Sequence, residues 1–160
     1  MIDPRHVGRS YGPFRYAVGQ EEIRDFAVVL AGGVPGRAFA SEPPEMPHPY
    51  YVNEAVAGAS PHRGIVAPPT FCVRFAIEPF ARALCDRELG LDLARIVHGE
   101  QALELLEVVR PGDVLETRGE ITSVREKSGM DFITVRTTSV NQLGRVAVVG
   151  TWTAIVLPGG

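Results

Sequence analysis

Two residues in this sequence, His48 and Glu78, have side chains that could accept or donate a proton in an enzyme reaction. His48 lies in the proline-rich stretch MPHPYY, and Glu78 lies in the apolar segment TFCVRFAIEPFARAL, four residues after Arg74. An imidazole or a carboxylate within reach of a substrate is the usual general base of an enzyme. Each also has an ordinary structural role, because His48 can cap a helix and Glu78 can pair with Arg74 along one helix face. Both are therefore candidate catalytic residues, with these structural roles as the alternatives.

The other reactive side chains do not form a pattern that binds a metal or a cofactor. His6 and His62 are isolated in predicted loops, and His98 begins a predicted strand. No pair of Cys, His or acidic residues has metal-ligand spacing, and neither a glycine-rich phosphate loop nor a Gly-x-Ser-x-Gly turn is present. Cys72 and Cys85 would lie roughly 20 Å apart along one helix, too far for a disulfide, so we expect two buried apolar thiols. We predict no metal and no cofactor.

Composition predicts a single cytoplasmic domain over residues 1–160. The chain has 160 residues, 45% of them hydrophobic, and a net charge of −3 without a run of Lys or Arg, so nucleic acid is not an expected partner. No apolar segment reaches the roughly 18 residues that a membrane span needs, and the first 13 residues do not resemble a leader peptide. We therefore predict no membrane association, an irregular segment at residues 1–12 and a proline-rich loop at residues 34–49.

The first half of the chain is predicted to hold one strand and two helices. Phe14–Val18 reads as a strand, and 21–30 reads as an amphipathic helix that ends at Gly32-Gly33. After the proline-rich loop, Thr70–Cys85 is the longest helix candidate and is predicted to be the central, buried helix. The apolar stripe of the first helix consists of Ile23, Phe26, Ala27 and Leu30.

The second half of the chain is predicted to form strands. The segment 98–109 fits either a helix or a strand, and the Pro111-Gly112-Asp113 turn after it favours a hairpin with Val114–Val124. Two further strands, 130–140 and 145–157, follow polar turns. The order of elements predicts an α+β fold in which an antiparallel sheet wraps a central helix. Because Val146–Val149 is apolar on both faces, we expect a subunit interface to cover the second face of the sheet, and hence a dimer.

Three stretches carry a resemblance to a known family. They are VGRSYGPFRYAVGQEEIRDFA, GIVAPPTF, and HGEQALELLEVVRPGDVL, and they occur in this order over nearly the whole chain. The chain resembles the MaoC-like hydratase/dehydratase group of hot-dog proteins. It is most similar to the accessory, non-catalytic subunits of the (3R)-hydroxyacyl-thioester dehydratases, which are FAS1-type dehydratase N-terminal domains. The resemblance implies a single hot-dog domain, a role in fatty acid metabolism, and an acyl-CoA or acyl-carrier-protein thioester as the ligand.

The motif that carries catalysis in this family is altered here. Active members have Asp-x-Asn-Pro-x-His before the central helix, and the Asp and His hold the water that adds across the 2,3 double bond of an enoyl thioester. On this sequence the motif falls on residues 46–51, with Met46 in place of Asp, His48 in place of Asn and Tyr51 in place of His. Neither Met46 nor Tyr51 can accept a proton from water at neutral pH. The resemblance thus implies a fold whose catalytic pair is absent from this chain.

The head of the central helix shows a second departure. Active members present a backbone N–H there, usually from a Gly after a His, to the thioester carbonyl, where it would stabilise a developing oxyanion. The matching residues are Pro68 and Pro69, which have no N–H, and Thr70 is the next residue that has one. Proline is also favoured in the first turn of a helix, so a purely structural reading holds as well.

These observations predict an acyl-thioester-binding subunit of a (3R)-hydroxyacyl-CoA/ACP dehydratase, an enoyl hydratase in the reverse direction. A catalytic hot-dog partner would supply the Asp and His, and the alternative partner is a second copy of the chain. One competing hypothesis is a homodimeric hot-dog thioesterase that uses Glu78 or His48, since Glu78 falls roughly where some hot-dog thioesterases keep a catalytic carboxylate. A non-enzymatic acyl-binding module is the other. The predicted substrate-binding residues are Tyr51, Val66, Pro69, Thr70 and Phe71.

Overall fold

The computed structural model describes residues 2–34 and 46–158. Five strands and five helices are found in this part of the chain: β1 Ser10–Ala17, α1 Gln20–Leu30, α2 Pro49–Val52, α3 Glu54–Ala59, α4 Val73–Ala76, α5 Glu78–Leu84, β2 Ile96–Leu105, β3 Val114–Lys127, β4 Met130–Val140 and β5 Val146–Val156. Short 3-10 turns occur at Pro4–His6, Pro69–Cys72, Arg87–Leu89 and Leu93–Arg95. Most of the predicted proline-rich loop 34–49 lies outside the described residues, and its last residue, Pro49, begins α2.

The described residues form two compact units. The sheet unit contains residues 2–16, 74–107 and 115–158, and the helical unit contains residues 17–34, 46–73 and 108–114. The prediction of one domain over residues 1–160 stays a prediction. No helix in the described ranges is both long enough and apolar enough to span a bilayer.

The sheet unit is built on five strands in the order β1-β3-β4-β5-β2. The pairs β3–β4, β4–β5 and β2–β5 are antiparallel, so β1 and β2 are the edge strands. The α+β prediction of a sheet with accompanying helices is confirmed. The first strand begins at Ser10 rather than Phe14, so residues 10–12 of the segment predicted to be irregular belong to this edge strand. Pro13 lies inside the strand. An edge strand tolerates a residue without an N–H, which is why Gly12-Pro13 does not mark the start of the strand.

The predicted hairpin between 98–109 and Val114–Val124 is wrong. The first of these segments is indeed a strand, but β2 pairs with β5 and β3 pairs with β4. The Pro111-Gly112-Asp113 turn belongs to the helical unit, where the Gly112 N–H donates to the Val18 carbonyl and the Val18 N–H donates to the Asp113 carbonyl. A turn that is fixed by other backbone groups need not join paired strands, and local turn chemistry could not reveal this.

The predicted central helix Thr70–Cys85 is not continuous. It consists of a 3-10 turn, α4 and α5, with a break at Ile77. Pro79 explains the break, because it has no N–H to donate and its ring would clash with the carbonyl four residues earlier. Cys85 is exposed at the end of α5, so the prediction of two buried thiols is correct only for Cys72.

Helix α1 matches its prediction to within one residue. Ile23 and Ala27 are buried, and Glu22 accepts a hydrogen bond from the Gly19 N–H through its side chain at 3.2 Å. Leu30 belongs to the predicted apolar stripe, but it lies in the last turn of the helix and is 56% exposed.

The core of the sheet unit centres on Trp152 of β5. Its ring is fully buried and stacks on Phe80 of α5 at 6.0 Å between ring centroids, and its indole N–H donates to the Thr137 hydroxyl at 2.9 Å. Burying an aromatic ring of this size removes roughly 200 Å² from water, which is worth about 5 kcal/mol. Gly119 of β3 lies directly under Pro79, and a Cβ at Gly119 would overlap the proline ring. Helix α5 therefore packs against β3 at a point where only glycine leaves room for the Pro79 ring.

The apolar run Val146–Val149 does not need a subunit interface. Ala147, Val148 and Val149 are already buried in the single chain, and only Val146, at the start of β5, is partly exposed. β5 is an inner strand whose two edges pair with β4 and β2, and the expected dimer stays a prediction.

Candidate functional site

The segment 46–51, which aligns with the catalytic motif, lies in the helical unit at the start of α2. Pro49 occupies the first turn of α2, where its missing N–H costs nothing. His48 is the N-cap, since its Nδ1 accepts a hydrogen bond from the Tyr50 N–H at 3.3 Å. Met46 is 69% exposed. The imidazole of His48 therefore has the capping role that was its structural alternative, and it uses one ring nitrogen for it.

Tyr51, which replaces the motif histidine, packs among rings. The rings of His48 and Tyr51 lie 5.5 Å apart between centroids, and the rings of Tyr50 and His62 lie 5.9 Å apart. Tyr51 is half-buried. The Tyr50 carbonyl accepts a hydrogen bond from the Val66 N–H at 3.2 Å, which connects this segment to the stretch before the central helix. An aromatic cluster thus stands where the family places its acid/base pair.

The helix head that should offer an oxyanion donor begins with two prolines. Pro68 is the N-cap residue and Pro69 begins the 3-10 turn, so neither supplies an N–H. Thr70 is exposed and is the first residue of this turn with a backbone N–H. Phe71, predicted to bind substrate, is fully buried, and its ring meets Phe26 edge-on at 5.4 Å. In this structure Phe71 is a core residue of the helical unit.

Cys72 is a buried residue close to this helix head, and its thiol is a possible nucleophile. Its thiol donates to the Pro69 carbonyl at 3.1 Å. Burial raises the pKa of Cys72 to about 11, so the group is a thiol at neutral pH. A thiol is a poor nucleophile compared with a thiolate, and Cys72 is therefore a packing residue.

Glu78 belongs to the sheet unit and is already paired. Its Oε1 accepts from Arg82 Nε at 2.8 Å, while Arg74 Nε donates to the Tyr16 hydroxyl at 2.9 Å. The structure shows Arg82 as a partner of Glu78, and the predicted Arg74–Glu78 pair stays a prediction. Both arginines are four residues from Glu78, so sequence spacing could not choose between them.

A small depression of about 240 Å³ adjoins Glu78 in the sheet unit. Its lining residues are Phe14, Arg15, Tyr16, Arg74, Phe75 and Glu78. The structure thus places Glu78 beside a surface cavity, and places His48, Tyr51, Val66, Pro69, Thr70 and Phe71 in the helical unit.

The other histidines also have structural settings. The ring of His98, on the edge strand β2, lies 5.5 Å from Phe80 and 6.0 Å from Trp152. His6 is buried in the 3-10 turn before β1. Within residues 2–34 and 46–158 no three His, Cys, Asp or Glu side chains are grouped so that they could hold a metal ion.

The sheet unit contains a cluster of ion pairs outside the motif segment. Arg9 contacts Asp86 at 2.7 Å and Glu88 at 2.6 Å, and the Tyr11 hydroxyl donates to Asp86 at 2.9 Å. Burial raises the pKa of Asp86, but hydrogen bonds from the Glu88 N–H and Tyr11, with the charge of Arg9, outweigh it and bring the pKa below its usual value. The hydrogen bond from Arg9 lowers the pKa of Glu88. Burial and then the bond to Asp86 raise the pKa of Tyr11 to about 12.

Residues 5–149 match the family described as FAS1-like, dehydratase domain region. The chain belongs to this family. Among its relatives, a UPF0336 protein of Streptomyces griseus is 32% identical over 92% of this chain and 89% of its own length. A UPF0336 protein of Streptomyces avermitilis is 34% identical over 84% of this chain and 81% of its own length.

Solved structures confirm the fold of this family member. The HadBC (3R-hydroxyacyl-ACP dehydratase) complex of Mycobacterium tuberculosis gives a TM-score of 0.73 at 24% identity, over 94% of this chain and 96% of that one. The (R)-hydratase of A. caviae gives 0.65 at 20% identity, over 95% and 96%. The hot-dog fold and the resemblance to MaoC-like hydratases are thereby confirmed.

Proposed function

We propose that this chain is the acyl-thioester-binding subunit of a (3R)-hydroxyacyl-thioester dehydratase. A catalytic hot-dog partner supplies the Asp and His that hold the reacting water. The observation that carries the proposal is the segment 46–51, where Met46 and Tyr51 occupy the catalytic positions and His48 caps a helix. The family match supports the dehydratase connection. The two prolines at the helix head support it further, because they remove the expected oxyanion donor.

The acyl thioester is proposed to contact the helical unit. Tyr51 is half-buried, and the neighbouring residues Pro69 and Thr70 are exposed. Val66 and Phe71 are buried, so they shape the wall behind the contact surface rather than offering free surface. The carrier, CoA or acyl carrier protein, would be recognised by polar groups at the exposed end.

A partner subunit fits the exposed edge of the sheet. Strand β2 is an edge strand, and Val97 and Leu105 on it are 44% and 48% exposed. A strand edge has unpaired N–H and C=O groups that a second sheet can pair. A stable pair of subunits should bury well above roughly 1,000 Å² in total.

The deciding experiment compares the single chain with a reconstituted pair. The chain is coexpressed with a family member that has an intact Asp-x-Asn-Pro-x-His motif, copurification is scored, and hydration of crotonyl and dodecenoyl thioesters is followed by absorbance. We expect background rates from the single chain, and a larger gain in the pair for the long thioester than for the short one. Turnover near the enzyme median of roughly 10 s⁻¹ by the single chain would contradict the proposal.

The thioesterase alternative is favoured only by the cavity beside Glu78. Hydrolysis releases a free thiol and hydration does not, so a thiol reagent separates the two reactions in the same samples. Under the main proposal Glu78 is the ion-pair partner of Arg82, and Glu78→Gln leaves every catalytic rate unchanged. Thiol release that disappears in Glu78→Gln would support the alternative. No thiol release and no hydration from any pairing would favour a non-enzymatic acyl-binding module.

A further inference from the structure

Two arginines of the helical unit, Arg63 and Arg110, lie near each other. Arg63 is exposed in the turn after α3, and Arg110 is half-buried in the loop before β3. A Cβ built on Gly64, the residue after Arg63, would lie 3.8 Å from Nη1 of Arg110. Neither guanidinium group makes a hydrogen bond or an ion pair with another residue in the ranges 2–34 and 46–158. We call these two side chains the arginine pair.

The backbone of Arg63 has a conformation that a long side chain rarely adopts. Its φ is 56°, in the left-handed region where glycine is the usual residue. The turn is fixed by its backbone, because the Arg63 N–H donates to the Ser60 carbonyl at 3.0 Å and the Gly64 N–H donates to the Ala57 carbonyl at 2.9 Å. Glycine would adopt this conformation without strain. An arginine here indicates that the guanidinium group has a function of its own.

The surroundings of the arginine pair favour an anion. Asp113 accepts a hydrogen bond from the Arg110 backbone N–H at 2.7 Å, so one carboxylate faces two guanidinium groups and the net charge is positive. On the other side, the ring of His62 meets the Tyr50 ring edge-on at 5.9 Å between centroids. A guanidinium group has several N–H donors in one plane, and these match the oxygens of a phosphate group.

The arginine pair is connected to the head of the central helix, where the thioester is proposed to bind. The Ala67 N–H donates to the carbonyl of Val109, the residue before Arg110, at 2.8 Å. This bond holds the stretch before the helix against the loop that carries Arg110. From Gly64 to Pro69 the chain spans at most about 18 Å. An extended pantetheine arm can bridge such a distance, so a thioester at the helix head brings its phosphates to the arginine pair.

We propose that Arg63 and Arg110 form a phosphate-binding site for the carrier of the acyl thioester. The inference rests on the proposed function, because it specifies how the same helical unit recognises the carrier. CoA and the prosthetic group of acyl carrier protein share the phosphate on the pantetheine arm, and CoA adds the phosphates of its nucleotide. The two guanidinium groups donate hydrogen bonds to phosphate oxygens, while the thioester lies at the helix head.

The test compares thioesters that carry the same acyl chain and different phosphates. Binding of octanoyl-pantetheine, octanoyl-phosphopantetheine and octanoyl-CoA to the full-length chain is measured by titration calorimetry. We expect a phosphate-bearing thioester to bind about tenfold more tightly than octanoyl-pantetheine, with a smaller difference in about 0.5 M salt. A gain already with phosphopantetheine would assign the site to the phosphate that both carriers share. A gain only with CoA would assign it to the nucleotide phosphates.

The failure of this inference differs from the failure of the proposed function. Equal affinity for all three thioesters would overturn the phosphate site and leave acyl-thioester binding intact. No binding of any of them would overturn both proposals.

A double variant shows whether the arginine pair is responsible for the gain. Arg63→Gln/Arg110→Gln should remove the gain from phosphate and leave the affinity for octanoyl-pantetheine unchanged. The matched control Arg118→Gln/Arg136→Gln removes the same charge from exposed arginines of β3 and β4, and it should keep the gain. Equal losses in the two double variants would show a general charge effect and refute the site.

A single variant separates the function of Arg63 from its effect on the fold. Arg63→Gly should bind octanoyl-CoA several-fold more weakly than wild type, because it loses one guanidinium group. Its urea midpoint should stay the same or rise, because glycine adopts a φ of 56° without strain. Unchanged affinity of Arg63→Gly for octanoyl-CoA would contradict the assignment of Arg63 to the site.

Discussion

The sheet unit and the motif segment of the helical unit are held by different kinds of contact. In the sheet unit, Trp152 bonds to Thr137 on the neighbouring strand, and Arg9 pairs with Asp86, far along the chain. In the segment 46–51, the side chain of His48 caps a residue two positions away, and the hydrogen bond from the distant Val66 N–H goes to the backbone carbonyl of Tyr50 rather than to a side chain. This difference indicates why the residues of the catalytic motif can change in this family while the fold is kept. A side chain with only local, exposed contacts can be replaced at little structural cost, whereas each residue of the sheet interior is fixed by several neighbours.

The largest expected difference between the two regions concerns catalysis, because the motif segment lacks a large factor in the hydration rate. Tyr51→His restores one member of the family's catalytic pair, and we expect it to leave the single chain at background hydration. General acid/base groups contribute roughly 10² to 10⁴ in rate and an oxyanion donor roughly 10² to 10³, so the chain lacks on the order of 10⁴ to 10⁷ in total. The effects of groups that act as a unit are not additive, and this variant still has Met46 in place of the motif Asp and Pro69, which has no N–H. The measurement is the absorbance of crotonyl thioester with each purified variant.

The control is Met46→Asp/Tyr51→His, which restores both proton-handling groups and leaves the prolines. A measurable rate in the double variant, without one in Tyr51→His, would confirm that the deficit is shared between positions. A rise of more than about tenfold from Tyr51→His alone would contradict this account.

The next effect is on stability and concerns the sheet interior. Gly119→Ala should lower the free energy of unfolding by about 1–3 kcal/mol, because its methyl group would overlap the ring of Pro79 and lie 3.2 Å from Thr137. Neither neighbour is the far end of a flexible side chain. The measurement is urea denaturation followed by the fluorescence of Trp152, the only tryptophan in the chain.

The matched control is Gly58→Ala in α3, where an added Cβ meets no atom within 4 Å. It should leave stability unchanged or raise it by up to about 1 kcal/mol, because alanine favours a helix more than glycine does. If both alanines had the same effect, close packing at Gly119 would not be the cause.

A smaller effect concerns the charge cluster around Asp86, and it depends on pH. The pKa of Asp86 is lower in the folded than in the unfolded chain, so its contribution to stability is present above the unfolded value of about 4 and is lost as pH falls through the folded value. Asp86→Asn should therefore lower the urea midpoint at pH 7 and flatten its decline between about pH 5 and pH 3. The control is Glu116→Gln on β3, because this glutamate is exposed and makes no ion pair within the described residues, and the variant should keep the wild-type slope.

Elements whose pattern is local were predictable from the sequence. The bounds of β4 were correct because alternation and the Ser128-Gly129 turn, with both residues at positive φ, define the strand. The break at Ile77 has a local signal, because Pro79 follows it closely, whereas the pairing of β2 with β5 was missed because it depends on residues that are distant in sequence. At the candidate site, residue types identified what is absent from the motif. They could not identify Arg82 as the partner of Glu78, since two arginines share the same spacing.

The smallest expected effect completes the comparison at the motif segment itself. Asparagine is the family's residue at position 48, and its side chain is also among the best N-caps, so His48→Asn should change the free energy of unfolding by less than about 0.5 kcal/mol. His48→Ala removes the cap of α2 and should cost roughly 0.5–1 kcal/mol, because the bond to the Tyr50 N–H is long, at 3.3 Å, and exposed. Both are measured by urea denaturation beside Gly119→Ala. A loss from His48→Asn as large as that from Gly119→Ala would show that the histidine ring has a tertiary role. The motif segment would then be as tightly specified as the sheet interior.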